Sequence, residues 1–182
     1  DGDGLTNLEE AALGTSLGSS DSDNDGLSDY DEVYLYYTNP KDQDTDKDGV
    51  PDYVEVISDS DPTDPSVADV DIELITAIKT TPTEITRRLG IDPASFSLLV
   101  TGRFEHEGRV FDNVKLANNS GLLEFSSSDT AIATVNIDGV FTTLAKGDAN
   151  LTVRLLRFDI EQVVKLHVVE TGKTIHAIGK NH

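Results

Sequence analysis

Acidic residues recur at fixed spacing in the first 55 residues of the chain. Residues 21–32, DSDNDGLSDYDE, and residues 44–55, DTDKDGVPDYVE, both read D-x-D-x-D-G-apolar-x-D-x-x-E. We call these segments loop 2 and loop 3. The opening DGDGLTNLEE, loop 1, carries the same pattern from its third position onward. Carboxylates packed this closely repel one another, so the pattern predicts that a cation lies among them.

The spacing of the oxygen atoms indicates which cation. Oxygens at positions 1, 3, 5, 9 and 12, with the backbone carbonyl of position 7, can surround one Ca²⁺, and the glycine at position 6 permits a sharp turn. Zinc prefers nitrogen and sulfur ligands, so calcium fits this set better. The predicted metal ligands are Asp21, Asp23, Asp25, the Leu27 carbonyl, Asp29 and Glu32 in loop 2; Asp44, Asp46, Asp48, the Val50 carbonyl, Asp52 and Glu55 in loop 3; and Asp1, Asp3, the Leu5 carbonyl, Asn7 and Glu10 in loop 1.

Loop 1 departs from the pattern, because Asn7 replaces the aspartate at position 9 and position 1 is absent. We therefore expect its site to be weak or incomplete. The alternative for all three loops is a solvated acidic linker, and the recurrence of the glycine and the apolar residue argues against it. Four further carboxylates lie on the segments that link the loops, where solvent-facing turns are one role open to them: Asp42, Asp59, Asp61 and Asp64.

The apolar residue of each loop distinguishes the pattern from an EF-hand. An EF-hand has its apolar residue at position 8, whereas here it stands at position 7, as Leu5, Leu27 and Val50. With a short helix following, residues 1 to about 65 resemble thrombospondin type 3 repeats in the bacterial form that lacks cysteines. The resemblance implies calcium-wrapped chain with little hydrophobic core, which unravels when the ion is removed. It also implies a second ion per repeat, which the four linking carboxylates would complete; the alternative of solvent-facing turns stays open for each of them.

The loops must be held by short elements. Helices are predicted over 7–13, ending at Gly14, over 29–37, ending before Pro40, and over 52–58, ending at a proline-rich stretch. Five apolar residues are expected to make the contacts between copies: Val33, Tyr34, Tyr37, Val54 and Ile57. The tyrosine cluster 34, 36 and 37 either packs in this way or forms a platform for sugar stacking.

Charge divides the chain into two parts. The net charge is −20; residues 1–70 hold 20 acidic and 2 basic residues, whereas residues 71–182 hold 14 and 12. The acidic half would be repelled by nucleic acid and by anionic lipid, so neither nucleic-acid binding nor direct membrane insertion is expected. The absence of cysteine excludes disulfides and thiolate metal sites. Because the chain has no methionine and starts inside a motif, we interpret it as a fragment or a processed product.

The residue pattern of 69–170 is typical of a β domain. Alternating β-branched and aromatic stretches predict seven or eight strands separated by turns, as in an immunoglobulin-like β-sandwich. The predicted fold class is mainly β: calcium-stabilised loop and short-helix repeats over 1–68, the sandwich over 69–170, and a tail or linker over 171–182. The predicted strands cover 69–79, 95–105, 109–116, 122–126, 132–136, 139–145, 149–156 and 162–170.

One stretch of this half, residues 124–155, resembles the bacterial Ig-like domain, group 2, of invasin- and intimin-type surface proteins. Upstream, ITRRLGID and the segment after it fit the opening strands of that family, so the resemblance spans roughly 72–170. It implies a spacing and adhesion module without catalytic residues. The residues that match are Ser127, Ser128, Asp129, Ala133, Val135, Gly139, Thr142, Gly147, Leu151 and Val153, and the predicted core is Ala133, Val135, Leu144, Leu151 and Val153.

No arrangement of catalytic groups emerges from the sequence: the serines 126–128 have no nearby histidine, and the four histidines are scattered. We predict a non-enzymatic extracellular calcium-binding module, a calcium-rigidified spacer or stalk of a bacterial surface protein, filament or large secreted protein. Its expected partners are calcium ions, neighbouring domains or subunits of the same assembly, and host or matrix protein or glycan. The alternative is an accessory binding module of a secreted enzyme, and a third possibility is self-assembly into a fibre.

Overall fold

The structure, a computed structural model, describes residues 2–66, 69–118 and 120–170. The predicted ligand Asp1 and the predicted tail 171–182 lie outside the described residues. The chain is mainly β, as predicted. The helices are α1 (Asn7–Leu13), α2 (Asp29–Asp31), which continues as a π-helical turn over Glu32–Tyr36, and α3 (Asp52–Ile57), with a 3₁₀ turn at Ile72–Leu74. The strands are β1 (Ile75–Thr81), β2 (Glu84–Leu89), β3 (Ser95–Ser97), β4 (Leu99–His106), β5 (Arg109–Lys115), β6 (Leu123–Ser127), β7 (Ala133–Val135), β8 (Val140–Thr143), β9 (Gly147–Leu155) and β10 (Ile160–Glu170).

The three predicted helices are confirmed, each within one or two residues of its expected bounds. Helix α1 begins at a capping box, in which the Thr6 hydroxyl accepts from the Glu9 backbone and the Glu9 carboxylate binds the Thr6 backbone. It ends at Gly14 in the left-handed conformation, at φ 77°. The longest of these helical segments is α2 with its π-helical turn, 3 and 5 residues. No helix in the described part of the chain is long and apolar enough to cross a membrane.

The chain forms two compact units. The first contains the described residues of 1–79 and 99–122, and the second those of 80–98 and 123–182. Strands β4 and β5 thus belong with the acidic loops, because their side chains pack on the loops. The boundary between 68 and 69 was predicted from the change in composition and stays a prediction about domains.

The first unit contains a three-stranded sheet in the order β1-β4-β5. Strands β4 and β5 form an antiparallel hairpin closed by Glu107 and Gly108, both at positive φ, as a two-residue turn requires. Its core combines sheet and loop residues: Leu27, Val50, Tyr53, Val54, Val70, Ile75, Ile78, Val100, Phe104, Val114 and Leu116 are buried.

The second unit contains a four-stranded sheet, β2-β10-β9-β6, and a three-stranded sheet, β3-β8-β7. Alternate residues of β9 and β10 are buried, so each strand turns one face to the core. The two sheets meet where Phe125 of β6 lies edge-on to Phe141 of β8, at 6.1 Å between ring centroids. Gly139 lies beneath the Phe125 ring, since a Cβ there would come within 2.7 Å of its Cζ.

Most predicted strands are confirmed, with some differences. The strand predicted over 69–79 begins only at Ile75, after the 3₁₀ turn Ile72–Leu74. The segment 95–105 divides into β3 and β4 around the buried Leu98. Strand β2 had been expected only through the family resemblance. The core assignment of Leu144 is wrong: β8 ends at Thr143, and Leu144 lies in the following turn with 53% of its surface exposed. Ala133, Leu151 and Val153 are buried as predicted, and Val135 is half-buried.

Candidate metal centres in the acidic repeats

Short side chain–backbone turns wrap loops 2 and 3. In loop 2 the Asp25 amide donates to Asp23 Oδ1 at 3.1 Å and the Leu27 amide donates to Asp25 Oδ1 at 2.7 Å. The equivalent bonds in loop 3 join the Asp48 amide to Asp46 Oδ1 at 3.0 Å and the Val50 amide to Asp48 Oδ1 at 2.8 Å. Aspartate favours such turns because its short carboxylate reaches the amide two residues ahead. One oxygen of each of these carboxylates therefore holds the loop backbone in its turn conformation.

The first aspartate of each loop is held from across the turn. The Gly26 amide donates to Asp21 Oδ2 at 3.1 Å, and the Gly49 amide donates to Asp44 Oδ2 at 2.9 Å. These glycines have φ of 118° and 101°, in the region that side chains with a Cβ rarely adopt. The predicted role of the glycine at position 6, a sharp turn, is confirmed.

The aspartate at position 9 closes each loop onto its second residue. Asp29 Oδ1 accepts from the Ser22 amide at 2.8 Å, and Asp29 Oδ2 accepts from the Ser22 hydroxyl at 2.7 Å. Asp52 makes the same two bonds with Thr45, at 2.8 and 2.7 Å. Both oxygens of these predicted ligands thus already bind a donor, and direct coordination by Asp29 and Asp52 stays a prediction.

Sequence reasoning missed the residue at position 2. The Ser22 hydroxyl also accepts from the Ser16 amide at 2.7 Å, and the Thr45 hydroxyl accepts from the Asn39 amide at 2.8 Å. Each hydroxyl therefore ties the start of its loop both to position 9 and to the preceding segment. The signal was present in the sequence, since both complete loops carry a hydroxyl residue at this position.

The remaining carboxylate oxygens lack donors. They are buried, and none has a hydrogen-bond partner among the described residues: Asp21 Oδ1, Asp23 Oδ2 and Glu32 Oε2 in loop 2, and Asp44 Oδ1, Asp46 Oδ2, Asp48 Oδ2 and both Glu55 oxygens in loop 3. A buried anionic oxygen without a partner is strongly unfavourable. Positions 1, 3 and 5 of each loop offer oxygens within 4.8 Å of one another. The orphaned oxygens thus match a cation.

Burial of these oxygens opposes their ionisation. Burial, reinforced by Asp23 and Asp25, raises the pKa of Glu32 to about 8. Burial, reinforced by Asp46 and Asp48, raises the pKa of Glu55 to about 9. The pKa of Asp25 is raised to about 7, again mainly by burial. Each carboxylate is thus more easily protonated in the fold than in the unfolded chain, unless a cation neutralises it.

The two complete loops differ in how many oxygens they leave open. In loop 2, Asp25 Oδ2 accepts from the Tyr53 amide at 3.2 Å, and Glu32 Oε1 accepts from the Thr38 hydroxyl at 3.2 Å. In loop 3 the equivalent oxygens of Asp48 and Glu55 have no donor among the described residues. Loop 3 therefore offers the larger set of oxygens.

Loop 1 repeats part of this arrangement. The Leu5 amide donates to Asp3 Oδ1 at 2.9 Å, as at position 5 of the other loops. Glu10, at position 12, is buried, and its Oε1 has no donor in the described part of the chain. Asn7 begins helix α1. These observations bear on Asp3 and Glu10 of the predicted set, whereas Asp1 lies outside the described residues.

The residues at position 7 anchor the loops. The side chains of Leu27 and Val50 are buried, while Leu5 is half-buried. Coordination by their carbonyls stays a prediction. Outside the loops, Asp61 binds Thr63 and Asp64 binds Ser66, so the structure places both in local turns, which was one of the two predicted roles.

The expected contacts between copies are only partly present. Val54 is fully buried, but Tyr34 and Tyr37 expose 50% and 77% of their surfaces. Tyr34 does contact the first copy, since its Oη donates to Glu9 Oε1 at 3.4 Å. The rings that pack closely between copies are those of Tyr30 and Tyr53, which come close to Gly4 and Gly26 of the preceding loops.

Comparison with known families agrees with the repeat assignment. The family model described as bacterial TSP3 repeat matches residues 1–15, 21–43 and 44–65, about a third of the chain. This confirms the resemblance of the acidic half to bacterial thrombospondin type 3 repeats. The match ends at residue 65, and the resemblance of residues 72–170 to a bacterial Ig-like domain is not confirmed.

No curated protein matches the chain. Among solved structures, the S-layer protein rSbsC(31-844) is 19% identical over 53% of this chain and 15% of its own length, with a TM-score of 0.35. Domains 1–6 of surface layer protein SbsC are 16% identical over 52% of this chain and 14% of theirs, with a TM-score of 0.34. The BSP domain of a biofilm associated protein is 19% identical over 82% of this chain and 22% of its own length, with a TM-score of 0.26. This chain spans less than a quarter of each of those chains.

Proposed function

We propose that the chain is a non-enzymatic, calcium-binding structural module of a bacterial surface or secreted protein, in which the ions order the acidic loops. The observation that carries the proposal is the repeated pattern of orphaned oxygens. In both complete loops, positions 1 and 3 bind a backbone amide with one oxygen and leave the other buried without a donor.

The chemistry of this donor set favours calcium. All donors are oxygens, and a glutamate at position 12 can offer both of its oxygens, as calcium sites with six to eight ligands require. Magnesium prefers a smaller octahedral site that retains water. We therefore propose that Glu55 is a bidentate ligand in loop 3, together with Asp44, Asp46 and Asp48.

The function follows from linkage between the ion and the fold. An ion that binds only the folded loops stabilises them by an amount that grows with its concentration. Extracellular modules commonly bind calcium with Kd of about 10⁻⁴ to 10⁻³ M. Calcium at about such concentrations outside the cell would order the loops into a stiff spacer or stalk, whereas the cytosol would leave the loops flexible during export.

Thermal unfolding tests this proposal. The melting temperature of the first unit is expected to rise by several degrees with 2 mM Ca²⁺ relative to chelator, and much less with 2 mM Mg²⁺. An equal response to the two ions would contradict a calcium-selective cage. Equal melting temperatures with calcium and with chelator would contradict the proposal as a whole.

The second candidate is a glycan-binding accessory module of a secreted enzyme. It is favoured by the exposed rings of Tyr34, in the π-helical turn Glu32–Tyr36, and of Tyr37, directly after that turn. Because sugar rings stack on exposed aromatic faces, a glycan array with the wild-type protein and with Tyr34→Ala tests it. Glycan binding by the wild type that Tyr34→Ala abolishes would support this candidate. If the wild type binds no glycan, this candidate is contradicted and the structural function stays the proposal.

A further inference from the structure

Strand β5 touches loop 3 through Lys115. The Lys115 amide donates to the Gly49 carbonyl at 2.8 Å, and Lys115 Nζ donates to the Asp48 carbonyl at 2.7 Å. The side-chain stem lies directly over Gly49, because a Cβ on that glycine would come within 2.9 Å of Lys115 Cβ. Three contacts from one lysine therefore hold the turn between positions 5 and 6 of the loop.

The equivalent glycines of the other loops are covered by tyrosines. A Cβ on Gly4 would come within 2.8 Å of Tyr30, and one on Gly26 within 2.9 Å of Tyr53. Both tyrosines stand at position 10 of the following loop. Loop 3 has no following loop in the described chain, and Lys115 occupies the place that a tyrosine has in the other two.

The same hairpin also packs on Tyr53 of loop 3, the residue that covers Gly26 of loop 2, and reaches loop 2 through Arg109. Phe111 stacks on Tyr53 at 5.4 Å between centroids, and the His106 ring forms a hydrogen bond with Tyr53 Oη at 2.9 Å. Arg109 lies over the Tyr53 ring, 3.7 Å from Asp21 Oδ2. That oxygen is the one that Gly26 already binds, so Asp21 Oδ1 stays open.

We propose that the β4–β5 hairpin is the end cap of the calcium loops, and that Lys115 is a positioning residue for the ion of loop 3. The inference rests on the proposed calcium function. The hairpin and the ion are thereby linked: the ion fixes the loop conformation that presents the Gly49 and Asp48 carbonyls, and the hairpin holds that conformation for the ion.

The charge of the lysine is compatible with the ion. Loop 3 supplies five carboxylates, so it remains negative after one Ca²⁺ has bound, and an ammonium bound to the Asp48 carbonyl stays favourable. By reciprocity, whatever the hairpin contributes to calcium affinity, calcium contributes equally to hairpin docking. Two measurements can therefore test one coupling.

The first measurement is calcium titration by calorimetry on the full chain. Lys115→Ala should weaken the affinity of one ion about tenfold, as expected for loss of a hydrogen bond from a charged group. Lys115→Met keeps the stem over Gly49 and should weaken it less. Arg103→Ala is the matched control, because Arg103 binds Glu105 and Asp112 on the hairpin itself. An unchanged or tighter Kd for Lys115→Ala would overturn the inference.

The second measurement is hydrogen exchange of residues 99–116 with calcium and with chelator. Exchange at the Lys115 amide, which binds the Gly49 carbonyl, should accelerate at least tenfold when calcium is removed. If calcium binds but hydrogen exchange in the hairpin does not change, the proposal that the hairpin is an end cap is overturned and the proposed function stays intact. Absence of calcium binding by the wild-type chain would overturn both.

Discussion

At the residue scale, the two oxygens of each aspartate have separate roles. In Asp23 and Asp46, Oδ1 accepts from a backbone amide and Oδ2 has no donor among the described residues. The fold thus aims one oxygen of each of these two side chains at the loop interior. The energetic consequence is repulsion and desolvation, which a divalent cation would offset.

Glu55→Gln separates the cost of burying the Glu55 carboxylate from the contribution of that carboxylate to calcium affinity. Without calcium the substitution should raise the free energy of unfolding by about 1 kcal/mol, because the folded state no longer has to bury a carboxylate or take up a proton to neutralise it. Calcium affinity at loop 3 should fall roughly a hundredfold, because a charged ligand is lost. Chemical denaturation with calcium and with chelator measures both, and Glu161→Gln on the exposed side of β10 is the control. A variant that is less stable without calcium would contradict the account.

Thr45→Val tests the residue at position 2. Valine has nearly the same shape but leaves Asp52 Oδ2 without its donor, at a cost of about 1–3 kcal/mol in the folded state. Calcium should also bind less tightly, since the loop would no longer be closed. Thr45→Ser retains the hydroxyl and should behave like the wild type. Equal stability of the valine and serine variants would show that the hydroxyl has no such role.

The ligand positions could be predicted because their spacing is regular, whereas the hydrogen bonds within each loop could not. The pattern identified Asp21, Asp23 and Glu32 as candidates, and each leaves a buried oxygen open. It also assigned Asp29 to the ion, yet the structure shows both of its oxygens bound to Ser22. Aspartate serves either role equally well, so its type and spacing could not distinguish them.

At the element scale, local sequence signals predicted the helices, whereas the association of the strands with the acidic loops depends on long-range packing. The caps of α1, Thr6 and Gly14, are adjacent in sequence to the turns that they end. The association of β5 with the loops depends on residues 67 positions apart, Asp48 and Lys115, and no local pattern reveals such a contact. The change in composition near residue 70 is likewise a local signal, and the domain boundary between 68 and 69 that it suggested stays a prediction.

The pH dependence of the calcium-free protein belongs to this scale, because whole loops titrate together. Burial raises the pKa of Asp52 to about 6, of Asp25 to about 7, of Glu32 to about 8 and of Glu55 to about 9, whereas in the unfolded chain these groups titrate near 4. Between about pH 4 and pH 9 the folded state therefore binds more protons than the unfolded state. Stability is therefore complete below about pH 4 and is lost as pH rises through 6 to 9.

We accordingly expect the calcium-free chain to have a higher free energy of unfolding at pH 5.5 than at pH 8.5. With saturating calcium this trend should shrink or reverse, because protons and calcium compete for the same carboxylates. Urea denaturation at the two pH values, with and without calcium, measures both. A calcium-free chain that is more stable at pH 8.5 would contradict the burial of these groups.

At the scale of the whole molecule, charge and core are unequally distributed. The acidic half holds 20 of the 34 carboxylates of the chain, whereas the second unit has a core of alternating aliphatic residues on β9 and β10. Hydrophobic burial can stabilise the second unit by itself. The first unit combines a smaller sheet with loops that bury acidic side chains. We therefore expect its order to depend on neutralisation of those charges.

Calcium titration by calorimetry tests the central claim, that the orphaned oxygens of loops 2 and 3 form calcium sites. The wild-type chain should bind at least two ions. Glu32→Gln and Glu55→Gln should each remove one of them, and the double variant should remove both. A stoichiometry that neither substitution changes, or a wild-type chain that takes up no calcium at millimolar concentration, would contradict the account.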